Sequence, residues 1–172
     1  ILKAHMMSFL KNSEYATMPT EIAIGDLVPK NRKYFKVPVE ALSNGVDLSQ
    51  FKPAKASSEI LKKYQLDDGK DKIMYIGRGD PEKSIDVVVK AFALLLADGI
   101  SNTELVIVGD GIDMARLKEL TEELGISEEV KFLGKIMMPE LAKVYRMGTI
   151  FATGSETETQ GIVLIEAAAT GL

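Results

Sequence analysis

Cysteine is absent from the 172-residue sequence, and histidine occurs once, as His5. Without cysteine the chain can form neither a disulfide framework nor a thiolate metal site. We also expect no zinc site built from histidines and no catalytic triad that needs one. His5, a lone histidine on a predicted helix face, is more typical of a structural or exposed position than of a catalytic one.

A long hydrophobic run and an excess of positive charge are also missing. No apolar stretch approaches the ~18 residues of a membrane-spanning helix. Residues 1–10 lack the continuous apolar core and the cleavage site of a signal peptide. The net charge of −4 argues against a nucleic-acid partner, because nucleic-acid-binding domains usually carry a basic stripe. A site for one phosphorylated small molecule needs only a few local cations and stays open.

The composition is that of an ordinary globular protein, with 46% hydrophobic and 27% charged residues. From about residue 70, apolar and amphipathic segments alternate at regular spacing. Strands are predicted at residues 72–76, 104–108, 130–133 and 149–152, and helices at 84–97, 112–124, 139–147 and from 162 onward. This alternation predicts an α/β fold with a doubly wound parallel sheet and helices on both faces.

The first seventy residues are patterned less regularly. The elements expected there are a helix over 1–11, a strand over 15–18, a capped helix from Thr20 to about 27, a loop over 28–36, a strand over 37–42, a surface linker over 46–56 and a helix over 57–65. In the later part, we expect Ser84 to cap its helix, and Leu117, Leu120 and Leu124 to face inward. In the helix over 139–147, we expect the same of Leu141, Val144 and Tyr145.

The loops that follow the four later strands carry the candidate functional residues. They span residues 77–83, 109–111, 134–138 and 154–161. In parallel α/β sheets, ligands bind beyond the carboxyl ends of the strands, so all four loops meet at one edge. This convergence predicts a single binding site.

The first two loops have features suited to phosphate. Arg78 can fork onto phosphate oxygens with Lys83 beside it, although the loop is equally compatible with a surface turn of solvated charges. Gly109-Asp110-Gly111 lets a ligand approach the backbone, although an isolated turn of this kind more often caps a helix. It lacks the GxGxxG spacing of redox dinucleotide-binding proteins, so a redox enzyme is not supported.

The fourth loop ends at Gly161 and leads into an almost wholly apolar helix. Free N–H groups and the positive dipole end at that helix start favour an anion. Glu158 lies on the loop, and Glu166 is the only charged residue after Gly161. Because a charge on an apolar helix needs a partner, we favour a ligand for Glu166 over solvent or a lysine.

Other chemistries fit these carboxylates less well. A divalent metal held by Glu156 and Glu158 would lack further hard ligands nearby. A hydrolase with paired acid and base carboxylates would leave the phosphate-suited loop and helix end unexplained.

Several motifs occur in order over most of the chain. They are Asn44-Gly45-Val46-Asp47 with Phe51 and Pro53, Tyr75-Ile76-Gly77-Arg78 with Pro81-Glu82-Lys83, Leu105-Val106-Ile107-Val108-Gly109-Asp110-Gly111, Val130-Lys131-Phe132-Leu133-Gly134, and Glu158 with Glu166 in an E-x7-E pattern. Through them, residues 44–172 resemble the C-terminal domain of retaining, metal-independent GT-B glycosyltransferases of family 4, also called glycosyl transferases group 1. Gly79, Ser84, Ala168 and Thr170 depart from the residues common in that family, and none is an expected ligand.

The resemblance implies roles for individual residues in binding a nucleoside diphosphate sugar. Arg78 and Lys83 would hold the diphosphate and stabilise it as a leaving group, and Glu158 would bond the sugar hydroxyls. Glu166 would take the ribose hydroxyls, and Lys135 would lie near the base. The positions that complete the expected donor site are Gly77, Gly109, Asp110, Gly134, Gln160, Gly161, Ile162 and Val163.

The implied reaction moves a hexose from a nucleoside diphosphate sugar to an acceptor with retention of anomeric configuration. A UDP-sugar is the favoured donor, with GDP and ADP open, and no metal or other cofactor is expected. Residues 155–161 are similar to members that glucosylate diacylglycerol, which suggests a glycolipid precursor as acceptor. The alternatives are a nucleotide-sugar epimerase or phosphorylase of the same fold and a non-catalytic nucleotide-binding module.

The resemblance also implies a domain organisation. Residues 1–43 would be a remnant of the N-terminal acceptor domain and its linker, and residues 44–172 a nucleotide-sugar-binding domain that is incomplete at its C-terminus. We therefore expect a fragment that binds donor but does not transfer sugar alone. The protein is expected to be cytoplasmic. Binding of the sugar or lipid acceptor, and any peripheral contact with the membrane, would depend on the missing domain.

Overall fold

The computed structural model describes residues 12–30 and 35–172. The chain divides into two compact units, Ile1–Gly45 with Glu158–Gly161, and Val46–Thr157 with Ile162–Leu172. The helix predicted over residues 1–11, and residues 31–34 of a predicted loop, lie outside the described residues. The expected boundary between residues 43 and 44 concerns the whole protein's domains and stays a prediction.

The first unit contains a short parallel strand pair, β1 (Ala16–Met18) and β2 (Val39–Ala41). Helix α1 (Glu21–Lys30) lies between them in sequence. Thr20 caps this helix, because its Oγ1 accepts a hydrogen bond from the Ala23 amide at 3.1 Å. The two strands and the capped helix predicted here are confirmed.

Pro29 lies inside α1, where the sequence predicted a loop from residue 28. That prediction was wrong because a proline in the last turn of a helix removes only one hydrogen bond from its end. The proline has no N–H to offer the carbonyl of Gly25, and the helix ends one residue later at Lys30.

The second unit is built, within residues 46–157, on a four-stranded parallel sheet. Its strands are β3 (Asp71–Ile76), β4 (Thr103–Val108), β5 (Val130–Gly134) and β6 (Ile150–Phe151), in the spatial order β5-β4-β3-β6. Strand β3 pairs with β4 along its whole length, from Asp71 opposite Thr103 to Ile76 opposite Val108. The strand order reverses at β3, which lies between β4 and β6.

Helices cover both faces of this sheet. Within residues 46–172 they are α2 (Ser58–Lys63), α3 (Ile85–Ala97), α4 (Met114–Glu123), α5 (Glu140–Tyr145) and α6 (Ile162–Thr170), with a 3₁₀ turn at Pro81–Lys83. α3 and α4 pack on one face, and α2, α5 and α6 pack on the other. The predicted doubly wound parallel α/β architecture is confirmed. No helix of the described residues is long and apolar enough to cross a membrane.

Strand β4 forms the centre of the core, since all of its residues are buried. Its side chains alternate: Val106 and Val108 join the cluster with α5 and α6, and Leu105 and Ile107 join the cluster with α3. Full burial of each such side chain contributes about 1.5–3 kcal/mol. A near-continuous hydrophobic strand is typical of a parallel sheet that is covered on both faces.

Three local predictions in this unit differ from the structure. Leu124 is 40% exposed, because α4 ends one residue earlier and the chain turns away at Gly125 with a φ of 68°. Ser84 takes the left-handed conformation, with a φ of 47°, between the 3₁₀ turn and α3, and its side chain makes no capping hydrogen bond. The expected surface linker is anchored by Phe51, which is buried with its ring edge-on to Tyr145.

A buried ion pair lies at the amino end of the sheet. Lys72 and Glu104 face each other across β3 and β4, are 3% and 2% exposed, and bring Nζ to 3.7 Å from Oε1. The Lys72 ammonium also donates hydrogen bonds to the carbonyls of Asp67 and Lys70. Among the described residues, Glu104 Oε1 has no hydrogen-bond partner, so its charge is balanced by Lys72.

Candidate functional site

A cavity of about 560 Å³ opens at the carboxyl ends of β3 and β4. Both strands end in its wall, at Ile76 and Val108. The residues that line it are Ile76, Gly77, Arg78, Val108, Gly109, Asp110, Gly111, Lys135, Ile136, Leu141, Val163 and Glu166. Apolar walls with a few charged groups are typical of small-molecule sites.

Glycines allow the loops after β3 and β4 to lie against each other. A Cβ atom on Gly109, whose φ is 135°, would overlap the carbonyl oxygen of Gly77. The Gly77 amide donates to the Val108 carbonyl at 3.0 Å, and the Gly109 amide donates to the Gly134 carbonyl at 2.9 Å. A side chain at Gly111 would likewise overlap the backbone of Gly79. Glycine is therefore required here by close packing of backbone on backbone.

Arg78 lies at the rim of the cavity and already has two acidic partners. Its Nη1 donates to Asp80 Oδ2 at 2.5 Å, and its Nη2 donates to Glu82 Oε1 at 2.8 Å. The side chain is 68% exposed, so both ion pairs are weakened by solvent. The Tyr75 hydroxyl fixes the backbone of the loop by donating to the Arg78 carbonyl at 2.8 Å. An anion that enters the cavity would compete with the two carboxylates for this guanidinium.

Glu166 lines the cavity from the second turn of α6, and its carboxylate accepts a hydrogen bond from a residue outside the cavity wall. The Tyr145 hydroxyl, on α5, donates to Glu166 Oε2 at 2.7 Å. Burial raises the pKa of this tyrosine far above its ordinary value, and the hydrogen bond and the Glu166 charge raise it further. The phenol therefore stays protonated and remains a hydrogen-bond donor.

Most of the expected donor-site residues meet in this cavity. Those that line it are Gly77, Arg78, Gly109, Asp110, Lys135, Val163 and Glu166. Lys83, Gly134 and Ile162 do not line it: Lys83 ends the 3₁₀ turn, Gly134 ends β5 and Ile162 begins α6. The roles expected for all of these residues stay predictions.

The other three expected residues, Glu158, Gln160 and Gly161, belong to the first unit. There the Gln160 side chain is fully engaged: Oε1 accepts from the amide and Nδ2 of Asn44 at 2.9 and 2.8 Å, and Nε2 donates to Ser43 Oγ and to the Asn44 carbonyl. Thr20 Oγ1 donates to the neighbouring Thr159 carbonyl at 2.9 Å. The loop that carries Glu158 is thus held by hydrogen bonds at Thr159 and at Gln160.

Some residues of the site were not singled out individually from sequence, although Ile136 lies in one of the four loops expected to form it. Ile136 and Leu141 form part of the apolar wall, and Tyr145 holds Glu166 from outside it. Tyr145 was expected to face inward, but its hydrogen bond to Glu166 was not predicted. Helical periodicity indicates which face is buried and does not identify a partner 21 residues away. Among the described residues, no group of three or more carboxylate and histidine side chains could hold a metal ion.

Comparison with known proteins decides the family. Residues 56–172 match the family model for glycosyl transferases group 1. The chain belongs to this family. Its sheet and helices form the Rossmann-like C-terminal domain that GT-B glycosyltransferases share.

Individual proteins extend the comparison. An α-monoglucosyldiacylglycerol synthase of Streptococcus pneumoniae is 32% identical over 177 residues, which cover 99% of this chain and 39% of that protein. The solved C-terminal domain of the group 1 protein LpcC of Francisella tularensis is 26% identical, with a TM-score of 0.63 over 73% of this chain and 67% of that one. Anabaena HepE, solved with UDP and glucose, shares the fold, with a TM-score of 0.77 at 20% identity over 99% of this chain and 46% of that one. The chain spans about two fifths of the length of the Streptococcus relative.

Proposed function

We propose that this chain supplies the donor-binding part of a glycosyltransferase that moves a hexose from a nucleoside diphosphate sugar to an acceptor, with retention of configuration. The observation that carries the proposal is the cavity beyond β3 and β4, where Arg78, Lys135 and Glu166 meet on the wall. Membership of the group 1 family supports the reaction class. A UDP-sugar is the favoured donor, in keeping with the UDP and glucose bound by HepE.

The diphosphate would occupy the loops after β3 and β4. Gly77, Gly109 and Gly111 line the cavity there and place no side chain between the ligand and these loops. Arg78 offers a guanidinium that suits two phosphate oxygens, and Lys83 is the second proposed cation. The amides at the start of α6, at Ile162 and Val163, would add hydrogen bonds and the positive end of the helix dipole.

The nucleoside would lie against Glu166 and Lys135. Tyr145 occupies Glu166 Oε2, so the remaining lone pairs of the carboxylate are available to the ribose hydroxyls. Lys135 follows Gly134 directly at the end of β5 and would lie near the base. The cavity wall between them is apolar, at Ile136 and Leu141, which suits the face of a nucleobase.

The proposed chemistry depends on stabilising charge. As the sugar–phosphate bond lengthens, negative charge grows on the diphosphate, and Arg78, Lys83 and the start of α6 would stabilise it. These positive groups supply what a metal ion would otherwise provide, so the proposal needs no metal. Glu158 would bind sugar hydroxyls and Glu166 the ribose, so the two carboxylates act as positioning groups and not as an acid and a base.

A glycolipid precursor is the proposed acceptor. It is favoured by the name of the Streptococcus relative, a synthase of a glucosylated diacylglycerol. That relative is much longer than this chain. We therefore propose that a part of the enzyme outside these 172 residues binds the acceptor. Any peripheral contact of this cytoplasmic enzyme with the membrane is proposed for the same part. We expect the purified 172-residue chain to bind donor and to transfer no sugar; transfer to an acceptor by this chain would contradict that expectation.

Binding measurements test the donor site directly. UDP, GDP and ADP are titrated against the chain by calorimetry, together with the Arg78→Ala and Glu166→Ala variants. We expect UDP to bind best, and each substitution to raise its Kd at least about tenfold, because each removes a charge-assisted hydrogen bond to the ligand. Thermal stabilisation by the same nucleotides gives an independent readout, since a ligand that binds only the native state raises the apparent stability.

Two matched variants control for nonspecific effects. Arg116→Ala removes an exposed arginine that pairs with Asp113 and Asp86 away from the cavity. Glu140→Ala removes a carboxylate that, like Glu166, accepts from a tyrosine at 2.7 Å. Both should leave the Kd within about twofold. Unchanged UDP affinity in both Arg78→Ala and Glu166→Ala would overturn the proposed site.

A further inference from the structure

We propose that Tyr145 is a positioning residue for nucleotide recognition: its buried hydroxyl fixes the Glu166 carboxylate in the orientation that receives the ribose hydroxyls. This inference rests on the proposed function, because it assumes that Glu166 binds the ribose. Tyr145 itself does not line the cavity.

The first support is the geometry of the pair. The hydroxyl of Tyr145 lies 2.7 Å from Glu166 Oε2, and the bond joins α5 to α6. Among the described residues, no other hydrogen bond or ion pair to the Glu166 side chain is found. A glutamate has three rotatable side-chain bonds, so a single fixed donor decides which oxygen is turned to the ligand.

The second support is the rigidity of the donor. Tyr145 is fully buried, its ring stands edge-on to Phe51 with centroids 5.7 Å apart, and it stacks on Phe151 at 6.4 Å. Burial among these rings restricts the side-chain conformation of Tyr145, so its hydroxyl is presented from one place. Leu141, one turn earlier on the same helix, lines the cavity, so α5 both shapes the wall and fixes the carboxylate.

The third support is a contrast between Glu166 and Glu140, the first residue of α5. Glu140 also accepts from a tyrosine at 2.7 Å, from Tyr64, but it has a second partner, Lys63, at 2.6 Å. That carboxylate is neutralised by its own surroundings. Glu166 receives only the neutral tyrosine donor, so its negative charge is oriented but left for a ligand to use.

The test separates positioning from folding by changing the ligand as well as the protein. The tightest binder among UDP, GDP and ADP is titrated against wild type and Tyr145→Phe, alongside its 2′,3′-dideoxy counterpart, which has no ribose hydroxyls. We expect Tyr145→Phe to raise the Kd of the ribonucleotide about tenfold and that of the dideoxy compound less than about twofold. In a Glu166→Ala background, the same substitution should change neither Kd.

The matched control is Tyr64→Phe, which deletes an equivalent tyrosine–carboxylate bond outside the cavity. It should lower the melting temperature while leaving both Kd values unchanged. If Tyr145→Phe weakens both ligands equally, or neither, the hydroxyl has only a structural role and the inference is overturned. If wild type binds no nucleotide, the proposed function is overturned, and this inference is overturned with it because it assumes that Glu166 binds the ribose.

A second measurement uses wild type alone, in case Tyr145→Phe does not fold. The hydroxyl proton of Tyr145 is followed by NMR during the titrations. A shift with the ribonucleotide and none with the dideoxy compound supports positioning, and the same response to both ligands overturns it.

Discussion

The two ends of the central sheet treat charge in opposite ways. At the amino end, Lys72 and Glu104 are buried opposite each other, and the ammonium is satisfied by backbone carbonyls. At the carboxyl end, Arg78 is largely exposed and Glu166 lines a cavity with one neutral donor behind it. The ion pair on β3 and β4 is thus closed within the protein, whereas the charges at the carboxyl end, on the loop after β3 and on α6, remain accessible to a ligand.

This difference separates stability from binding. Removing one member of a buried pair leaves an uncompensated charge in the core, whereas removing an exposed charge has little effect on folding. Substitutions at the amino end should therefore change the free energy of unfolding, and substitutions of charges at the carboxyl end should change nucleotide affinity. The four predictions below test that division, in order of decreasing expected effect.

The largest effect is expected from Lys72→Met. The substitution leaves Glu104 buried without its counter-ion and should lower the free energy of unfolding by about 3–5 kcal/mol, measured by urea denaturation. Adding Glu104→Leu should restore most of the loss, because an apolar pair no longer has an unpaired charge. If Arg78→Met, at the carboxyl end, lowers the free energy of unfolding as much as Lys72→Met does, the proposed difference between the two ends of the sheet is wrong.

Gly109→Ala should have the next largest effect. Its methyl group would overlap the Gly77 carbonyl at a φ of 135°, so we expect a loss of about 2–3 kcal/mol together with weaker nucleotide binding. The control is Gly99→Ala, which has a φ of 87° but open space around the new Cβ, and should lose only about 1 kcal/mol. Equal losses in the two variants would show that close packing of the loops contributes nothing.

Ser84→Gly should stabilise the protein. Ser84 holds a φ of 47° without a capping bond, so glycine relieves about 1 kcal/mol of backbone strain, measurable as a higher urea midpoint. Ser84→Ala removes the hydroxyl but keeps the strained backbone and should give no gain. If the two variants are equally stable, the left-handed conformation at Ser84 carries no strain that glycine relieves.

The smallest effect is expected at the acidic partners of Arg78. Asp80→Asn removes one carboxylate that competes with an incoming phosphate, and should lower the Kd of UDP about twofold to threefold at low salt. The gain should shrink as ionic strength rises, because exposed pairs are screened. Weaker binding by this variant would mean that Asp80 holds Arg78 ready for the ligand instead of competing with it.

Much of the sheet followed from hydrophobic patterning alone. The run from Leu105 to Val108 has no polar interruption, which is typical of a strand in a parallel sheet covered on both faces. The convergence of the loops follows from the parallel direction of the strands, which explains why Arg78, Asp110 and Glu166 were all expected at one edge. These are consequences of local sequence and chain direction.

Other features depend on partners far apart in sequence or on backbone geometry. The Tyr145–Glu166 bond needs the packing of two helices, and periodicity only indicates that Tyr145 faces inward. The left-handed conformation of Ser84 is imposed by the turn that precedes α3, although serine is a common helix cap. The extension of α1 through Pro29 shows that a proline stops a helix less sharply when only the last turn is affected.

The hydrogen bonds of Gln160 also constrain the order in which the chain can fold. Its partner Asn44 precedes it by 116 residues, and every strand of the central sheet is encoded between them. During synthesis, the sheet can therefore form before Gln160 emerges, whereas the first unit cannot acquire these bonds until that point. The first unit, although it contains the earlier residues, is thus completed only after all four strands of the central sheet have been synthesised.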